Sequence, residues 1–430
     1  MNILQVTLGF YPSTAWGGPV KIVHRNGREL VRRGHRVTVY CTNLLDKMQT
    51  IGPDTQEQRT FGRCTFERRT FVRMVDGIRV VYFHTWRLRW WPGTLGPVWL
   101  PDLPEYLRNE IGDYDVVHLN GYRNLMNLPV ARTARRKRVP LILQPHGAMP
   151  VLSWDGTRNI SISYVIKRLY DRLLGGQELK GLSTLIALQE SELQQAIARG
   201  VPEERIEIIP NGLDLSERAA MPSIGEVQSD TGNSGRKTGA FRRQFGIPAD
   251  KHLILFLGRI HAKKGTDMLI EAFRRLDGLD ARLAIVGPDD GQLGLVQRLI
   301  GQYELGNRVV LTGLLAGSEV MAAYQDADLF VLPCRADTFP TTIMEACLAG
   351  TPMVVTDRCE IAHLVRDRVA DVVPFDPDAL AQAMKRLLTD RERYQRYVEN
   401  CPDLMRDRFS LEATVDRLEA VSERALEEGR

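Results

Sequence analysis

Short apolar runs alternate with amphipathic stretches along most of the chain. In the first half the runs Ile3–Leu8, Val37–Cys41, Arg79–Phe83, Asp115–Leu119, Leu141–Gln144, Leu185–Leu188 and Ile206–Ile209 read as strands. Helical spacing occupies Pro19–Arg32, Asn124–Arg136, Ser163–Glu178 and Ser191–Ala198. Near-continuous Val/Ile/Leu strands joined by helical crossovers predict a parallel sheet covered on both faces. The second half repeats the scheme, with strands at His252–Leu257, Arg282–Val286, Arg308–Leu311, Leu329–Leu332, Met353–Thr356 and Asp371–Val373. Its helices are expected at Asp267–Leu276, Leu293–Tyr303, Ser318–Gln325, Thr342–Ala349 and Ala379–Leu388. Pro222–Gly239 is polar and aperiodic and reads as a mobile insertion, with a hinge just before it near Pro210–Leu213. Ser410–Leu426 is an amphipathic helix with Ser410 as its N-cap. No repeat of a solenoid's period occurs. The expected architecture is two doubly wound α/β domains, whose ligand crevices lie at the carboxyl ends of their strands.

Composition adds limits. The formal net charge of +4 over 430 residues makes a basic nucleic-acid module a poor reading. Cys41, Cys64, Cys334, Cys347, Cys359 and Cys401 form no C-x-x-C pair, so neither a structural zinc nor a disulfide framework is expected. Free thiols point to a cytoplasmic protein. The N-terminus reads as a first buried strand, not a signal peptide, and no apolar run is long enough to span a bilayer.

Four segments can carry chemistry. Gly17-Gly18-Pro19 stands between the first strand and first helix, as an anion-accepting turn or a plain tight one. Arg259 and Lys264, in Gly258-Arg259-Ile260-His261-Ala262-Lys263-Lys264-Gly265, put two cations on a loop directly after a strand, which suits a diphosphate. Asp337-Thr338-Phe339-Pro340-Thr341-Thr342-Ile343-Met344-Glu345 crosses a loop-to-helix junction. The amides near Thr341 and Thr342 can meet phosphate oxygens, and Glu345 can accept from ribose hydroxyls. Alternatively, Thr342-x-x-Glu345 is a capping box. Gln144-Pro145-His146-Gly147 ends a strand with a histidine able to bond a sugar hydroxyl, or merely to support the fold. His118, at the end of the preceding strand, has a weaker case.

In order and spacing, Gly17-Gly18, Asp115-Val116-Val117-His118, Pro145-His146-Gly147, Ile209-Pro210-Asn211-Gly212-Leu213-Asp214, the Gly-Arg…Lys-Gly loop and Glu345-Ala346-Cys347-Leu348-Ala349-Gly350-Thr351-Pro352 resemble the retaining glycosyltransferases of GT-B fold known as family four. The resemblance implies two facing Rossmann-like domains with a central cleft. Residues 1–211 would bind acceptor and 212–405 nucleotide-sugar, with 406–430 a helix packing back on the N-terminal domain. It implies that Arg259 and Lys264 neutralise the donor diphosphate, that Glu345 holds the ribose and that His146 stands beside the reacting sugar. The Gly17-Gly18 loop would lie close to the diphosphate, Pro340, Thr341 and Thr342 on the donor, and Gly313-Leu314 near the base. Asp337 stands where the family usually has Glu against the transferred sugar, and its shorter reach bears on donor choice. The family's glycine-rich stretch after the next strand is here Asp357-Arg358-Cys359-Glu360.

The expected reaction moves a hexose from a nucleoside diphosphate sugar to a saccharide or lipid-linked saccharide, with retention. It belongs to cell-surface polysaccharide or glycolipid assembly. The resemblance implies front-face attack with the leaving phosphate helping to take the acceptor proton, so no general base is assigned. Arg259 and Lys264 supply the charge, so no metal or cofactor is expected. Trp86-Arg87-Leu88-Arg89-Trp90-Trp91, with Trp99 and the basic run Arg132–Arg138, suits peripheral association with the inner face of the membrane. The plain alternative is internal packing of the tryptophans and a solvated helix end. The rival functions are a nucleotide-sugar epimerase of the same fold and a catalytically silent binding subunit.

Overall fold

A computed structural model of the chain describes residues 1–13, 18–45, 50–52, 70–87, 98–149, 162–216, 239–276, 278–315 and 317–429. Gly17, Cys64, most of the tryptophan-rich loop and the insertion at 222–238 lie outside the described residues. The chain divides into two compact units, Met1–Gly212 with Leu411–Arg430, and Leu213–Ser410.

The first unit holds β1 (Asn2–Thr7), β2 (Arg36–Thr42), β3 (Phe71–Val75), β4 (Ile78–Phe83), β5 (Trp86–Arg87), β6 (Val98–Trp99), β7 (Val116–Asn120), β8 (Leu141–Gln144), β9 (Thr184–Ala187) and β10 (Ile206–Ile208). Eight of these form one sheet in the order β10-β9-β8-β7-β1-β2-β4-β3. It is parallel except for β3, which returns antiparallel on β4. The turn between β3 and β4 is Asp76-Gly77, with φ of 48° and 79°. Two left-handed residues give the tight turn whose twist matches a hairpin.

Neighbouring residues of each strand face opposite sides. Leu4, Val6, Tyr40, Leu119 and Leu143 pack on one face beneath the helices Leu103–Glu110 and Asn127–Lys137. Ile3, Val37, Val39 and Ile142 pack on the other, where Leu411, Val415, Leu418 and Val421 of the helix Leu411–Gly429 complete the core. Arg33, on the helix Gly18–Arg32 side, fastens that last helix through Asp416 at 2.6 Å and through Glu419.

The second unit holds β11 (His252–Leu257), β12 (Ala281–Val286), β13 (Val309–Gly313), β14 (Leu329–Leu332), β15 (Met353–Thr356) and β16 (Ala370–Val373). All are parallel, in the order β13-β12-β11-β14-β15-β16. This is a doubly wound sheet whose topology reverses between β11 and β14. The crevice outside that reversal is where the loops after β11 and β14 emerge.

Some expected elements differ in extent. The helix expected over Ser163–Glu178 is α-helical at Ile162–Tyr170, widens to a π turn at Asp171–Gly175 and resumes at Gly176–Leu179. The π turn places Asp171, which accepts from Arg123 Nη2 at 2.7 Å and from the Tyr122 hydroxyl at 3.1 Å. An ionic partner thus stabilises the wider turn.

Candidate functional site

In the second unit the candidate residues come from the strand ends at the topological reversal. β11 runs into Gly258 and a loop carrying Arg259, His261, Lys263 and Lys264. His261 Nδ1 accepts the Lys263 amide at 3.1 Å and opens the short 3-10 turn Ala262–Lys264. Gly265 closes that turn at φ 68°, and a Cβ there would sit 1.9 Å from the Pro333 carbonyl oxygen. The glycine therefore lets the loops after β11 and β14 touch. Across that contact the Lys264 ammonium pairs with the Asp337 carboxylate. Burial pulls the Lys264 ammonium down, and Asp337 more than offsets this, so the group is held above its ordinary value and stays charged. Burial, with Arg259 adding to it, lowers Lys263 instead. Arg259 is 57% exposed and meets Asp290 at 2.5 Å.

Asp337 is braced from behind. Its amide bonds the Arg358 carbonyl at 3.4 Å and its carbonyl accepts the Glu360 amide at 2.9 Å. The segment Asp357–Glu360, where the family pattern is glycine-rich, thus supports the Asp337 backbone. Pro340 is the N-cap residue of the helix Thr341–Leu348. Thr342 is therefore one residue inside the helix, not its cap, and the capping-box alternative fails on position. The Thr342 hydroxyl is buried with no partner among the described residues. Glu345 is buried and accepts from the Tyr324 hydroxyl at 3.2 Å. Gly313 ends β13 at φ 73°, and Leu314 beyond it is 53% exposed.

Arg335, which the sequence does not flag, organises this loop. Its guanidinium bonds the Ala262 carbonyl and the Asp267 carboxylate, each at 2.7 Å, and its amide bonds the Lys263 carbonyl at 2.7 Å. It ties the loop after β14 to the one bearing Lys264.

In the first unit Gly18 is the first residue of the helix Gly18–Arg32, whose opening turn holds no carboxylate. His118 and Asn120 lie on β7 and His146 follows β8. His146 Nε2 lies 2.9 Å from Asn120 Oδ1, and Asn120 Nδ2 donates to Gln5 Oε1 at 3.1 Å. In this network Nε2 carries the proton and Nδ1 is left as an acceptor. His146 Nδ1, His118 Nε2 and Gln144 Oε1 are buried with no partner among the described residues. Burial pushes His118 down to about 4, and burial with the nearby His118 pushes His146 down to about 3. His146 is thus neutral at ordinary pH, a hydrogen-bonding group too weakly basic to serve as a general base.

The His146 loop is held by residues the sequence does not single out. Glu192 accepts the Gly147 amide at 2.9 Å. Arg123 and Arg199 both donate to the Met149 carbonyl, at 3.0 and 2.9 Å. Beside them Glu178 is fully buried, accepting Asn127 Nδ2 at 2.5 Å and the Tyr170 hydroxyl at 2.8 Å. Burial pushes its carboxyl up to about 7 against these donors.

From about pH 4.5 to 7 the folded chain keeps a proton here that the unfolded chain releases. The contribution to stability is therefore intact below pH 4.5 and is lost as pH rises through 7. Glu178→Gln does not ionise. Its unfolding free energy relative to the parent is expected to rise by up to about 3 kcal/mol between pH 4.5 and 8.5 in urea titrations. A pH-independent difference would refute the buried-proton account.

These sites define a class of protein: parallel α/β units presenting fixed cations and helix N-termini at strand ends, a setting for phosphate-bearing ligands. Comparison with known proteins makes the class specific. Residues 17–212 match the glycosyl transferase 4-like domain and residues 237–403 match glycosyl transferases group 1. The chain is similar to an uncharacterized glycosyltransferase of Methanocaldococcus jannaschii, 28% identical over 95% of each chain. It is also similar to the alpha-D-kanosaminyltransferase of Streptomyces kanamyceticus, 25% identical over 77% of this chain and 82% of the relative. Among solved structures, Anabaena HepE in complex with UDP-glucose has a TM-score of 0.72 at 18% identity, covering 98% of this chain and all of its own. WaaG, a glycosyltransferase involved in lipopolysaccharide biosynthesis, has a TM-score of 0.64 at 18% identity, covering 97% and 98%. The chain belongs to the group 1 glycosyltransferases and has the GT-B fold.

Proposed function

We propose that the chain is a retaining hexosyltransferase that takes its sugar from a nucleoside diphosphate donor bound by the second unit. The acceptor is a saccharide or lipid-linked saccharide taken by the first unit, in assembly of a cell-surface polysaccharide or glycolipid. The observation that carries the reading is the half-buried Lys264–Asp337 pair beside Arg259, at the reversal point of the second sheet. Breaking the anomeric C–O bond builds charge on the leaving diphosphate. Lys264, Arg259 and the amides opening the helix Thr341–Leu348 stabilise that charge without needing a divalent metal. Asp337 faces the sugar, held by Lys264, and Glu345 takes the ribose. His146 offers Nδ1, unpaired among the described residues, as an acceptor for a sugar hydroxyl. Backbone around Gly313 and Leu314 meets the base, and Gly17 and Gly18 are proposed to serve the diphosphate. No residue is assigned as general base, in keeping with front-face attack. HepE was solved with UDP and with UDP-glucose, which supports a donor of that kind. We also propose that the protein works in the cytoplasm, peripherally on the membrane. Trp86 and Trp99 support this, being cross-strand partners, 64% and 66% exposed.

Thermal-shift titration with UDP, GDP and ADP in the presence of EDTA tests the donor site. One nucleotide is expected to raise the midpoint selectively, since a ligand of the folded state alone adds stability. No shift with any of them at millimolar concentration would support a silent subunit instead. Donor conversion without any acceptor would mark an epimerase.

A further inference from the structure

The helical segment Ile162–Leu179 of the first unit leaves an apolar stripe uncovered. Val165, Leu169 and Leu173 recur every four residues and are 55%, 55% and 61% exposed. Successive residues four apart share a helix face. Lys167, Arg168 and Arg172 flank them. The helix Asn127–Lys137 adjoins the far end of this segment. Arg132 donates to Gln177 Oε1 at 3.2 Å and Arg135 donates to the Gln177 carbonyl at 2.9 Å. That second helix and its cap add Arg132, Arg135, Arg136, Lys137 and Arg138. Across residues 127–138 and 162–179 there are eight cations against two carboxylates, Asp171 and the buried Glu178. Asp171 is spent on Arg123 and Arg199.

Helix dipoles account for cations in a last turn, but not for an exposed valine and two exposed leucines beside them. Two copies of this surface meeting about a two-fold axis would set eight cations against eight, which opposes a self-association interface. An anionic lipid surface suits both features, the leucines entering the acyl boundary and the cations meeting headgroups.

We propose that Val165, Leu169 and Leu173, with the surrounding arginines and lysines, form the surface by which the first unit docks on anionic bilayers. The proposal rests on the peripheral-membrane reading above and assigns it a place other than the tryptophan loop. No helix among the described residues is long and apolar enough to cross a membrane.

The test is sedimentation of the full chain with vesicles of phosphatidylcholine alone and with 30% phosphatidylglycerol added, as about one-third anionic lipid gives a strong surface potential. Binding is expected only to the anionic vesicles and to weaken with salt. Leu169→Glu/Leu173→Glu is expected to lower the affinity at least tenfold, with an unchanged thermal midpoint. Leu169→Ser/Leu173→Ser is a milder second variant should the first fail to fold. If the parent ignores anionic vesicles at low salt, membrane association itself fails. If parent and variants bind equally, association stands and this surface is wrong. A parent dimer that the variants dissociate in analytical ultracentrifugation would assign the stripe to a second copy and overturn the proposal.

Discussion

Lys264→Ala is expected to lower turnover of the nucleotide-sugar by about 10²–10³, about 3–4 kcal/mol of transition-state stabilisation. In the proposed reaction the lysine meets charge that grows as the anomeric bond breaks, so the loss is expected mainly in kcat. Its setting makes the effect large. Only 19% of the Lys264 side chain and 17% of the Asp337 side chain is exposed, so solvent cannot readily replace the missing cation. Removing the ammonium also leaves the Asp337 carboxylate without its counter-charge where the sugar is expected. Lys264→Arg keeps the charge but not its compactness and is expected to recover only part of the loss. Arg259→Ala is expected to fall in the same range, its guanidinium leaving Asp290 to meet the diphosphate. Steady-state rates with the nucleotide chosen by thermal shift decide the matter. Unchanged turnover in both alanine variants would sink the donor-site assignment.

The second large effect lies at the opposite end of the same sheet. Arg242 is 2% exposed. Its guanidinium bonds the Pro248 and Lys251 carbonyls, each at 3.0 Å, the Asp326 carbonyl at 3.1 Å and Asp328 Oδ2 at 2.8 Å. Asp328 in turn accepts the Leu253 amide at 2.7 Å, so one side chain joins the entries to β11 and β14. Arg242→Ala would strand a half-buried carboxylate and three carbonyls, with an expected cost of about 3 kcal/mol to the second unit. Arg242→Lys is expected to recover little, since one ammonium cannot span the positions a planar fork reaches. Urea unfolding should show the transition of the second unit moved and that of the first in place. Because Arg242 sits at the strand entries, nucleotide affinity well below the transition should be kept. A transition unmoved within about 0.5 kcal/mol would refute the clamp.

Most strands of both sheets are legible because they are short apolar runs buried on both faces, and His252–Leu257, Leu329–Leu332 and Met353–Thr356 coincide residue for residue with the sequence reading. β3 escapes because Phe71-Val72-Arg73-Met74-Val75 lies at the sheet edge, alternating between half-buried and exposed. The Asp76-Gly77 pair was its available signal. The helix Arg391–Arg408 escapes because it is mostly polar and contains Pro402, and packing of Tyr397, Cys401, Leu404 and Met405 secures it instead. At the candidate site, Arg259, Lys264, Asp337 and Glu345 stand out because their spacing on loops and a helix start is local. The residues that position them do not. Arg335 meets Asp267 across 68 residues of sequence and Arg123 meets Asp171 across 48, and no local pattern encodes such pairs. Asn120, which sets the proton on His146, has only its place at a strand end to recommend it.

The first unit is discontinuous in sequence, whereas the second runs unbroken from Leu213 to Ser410, with the Leu213 amide bonded to the Phe409 carbonyl at 2.8 Å. On the ribosome this inverts the order of completion. Residues 213–410 emerge as a whole unit and can close their core while Val37, Val39 and Ile142 still lack the cover of Leu411, Val415 and Leu418. The nascent chain therefore carries this sheet face with the helix Gly18–Arg32 on it but without the last helix for the time taken to synthesise about two hundred residues, some tens of seconds at bacterial or eukaryotic rates. Exposed apolar surface of that kind is what chaperones bind, and a message truncated before the last helix yields a finished second unit tethered to a first unit lacking Leu411, Val415, Leu418 and Val421 from its core.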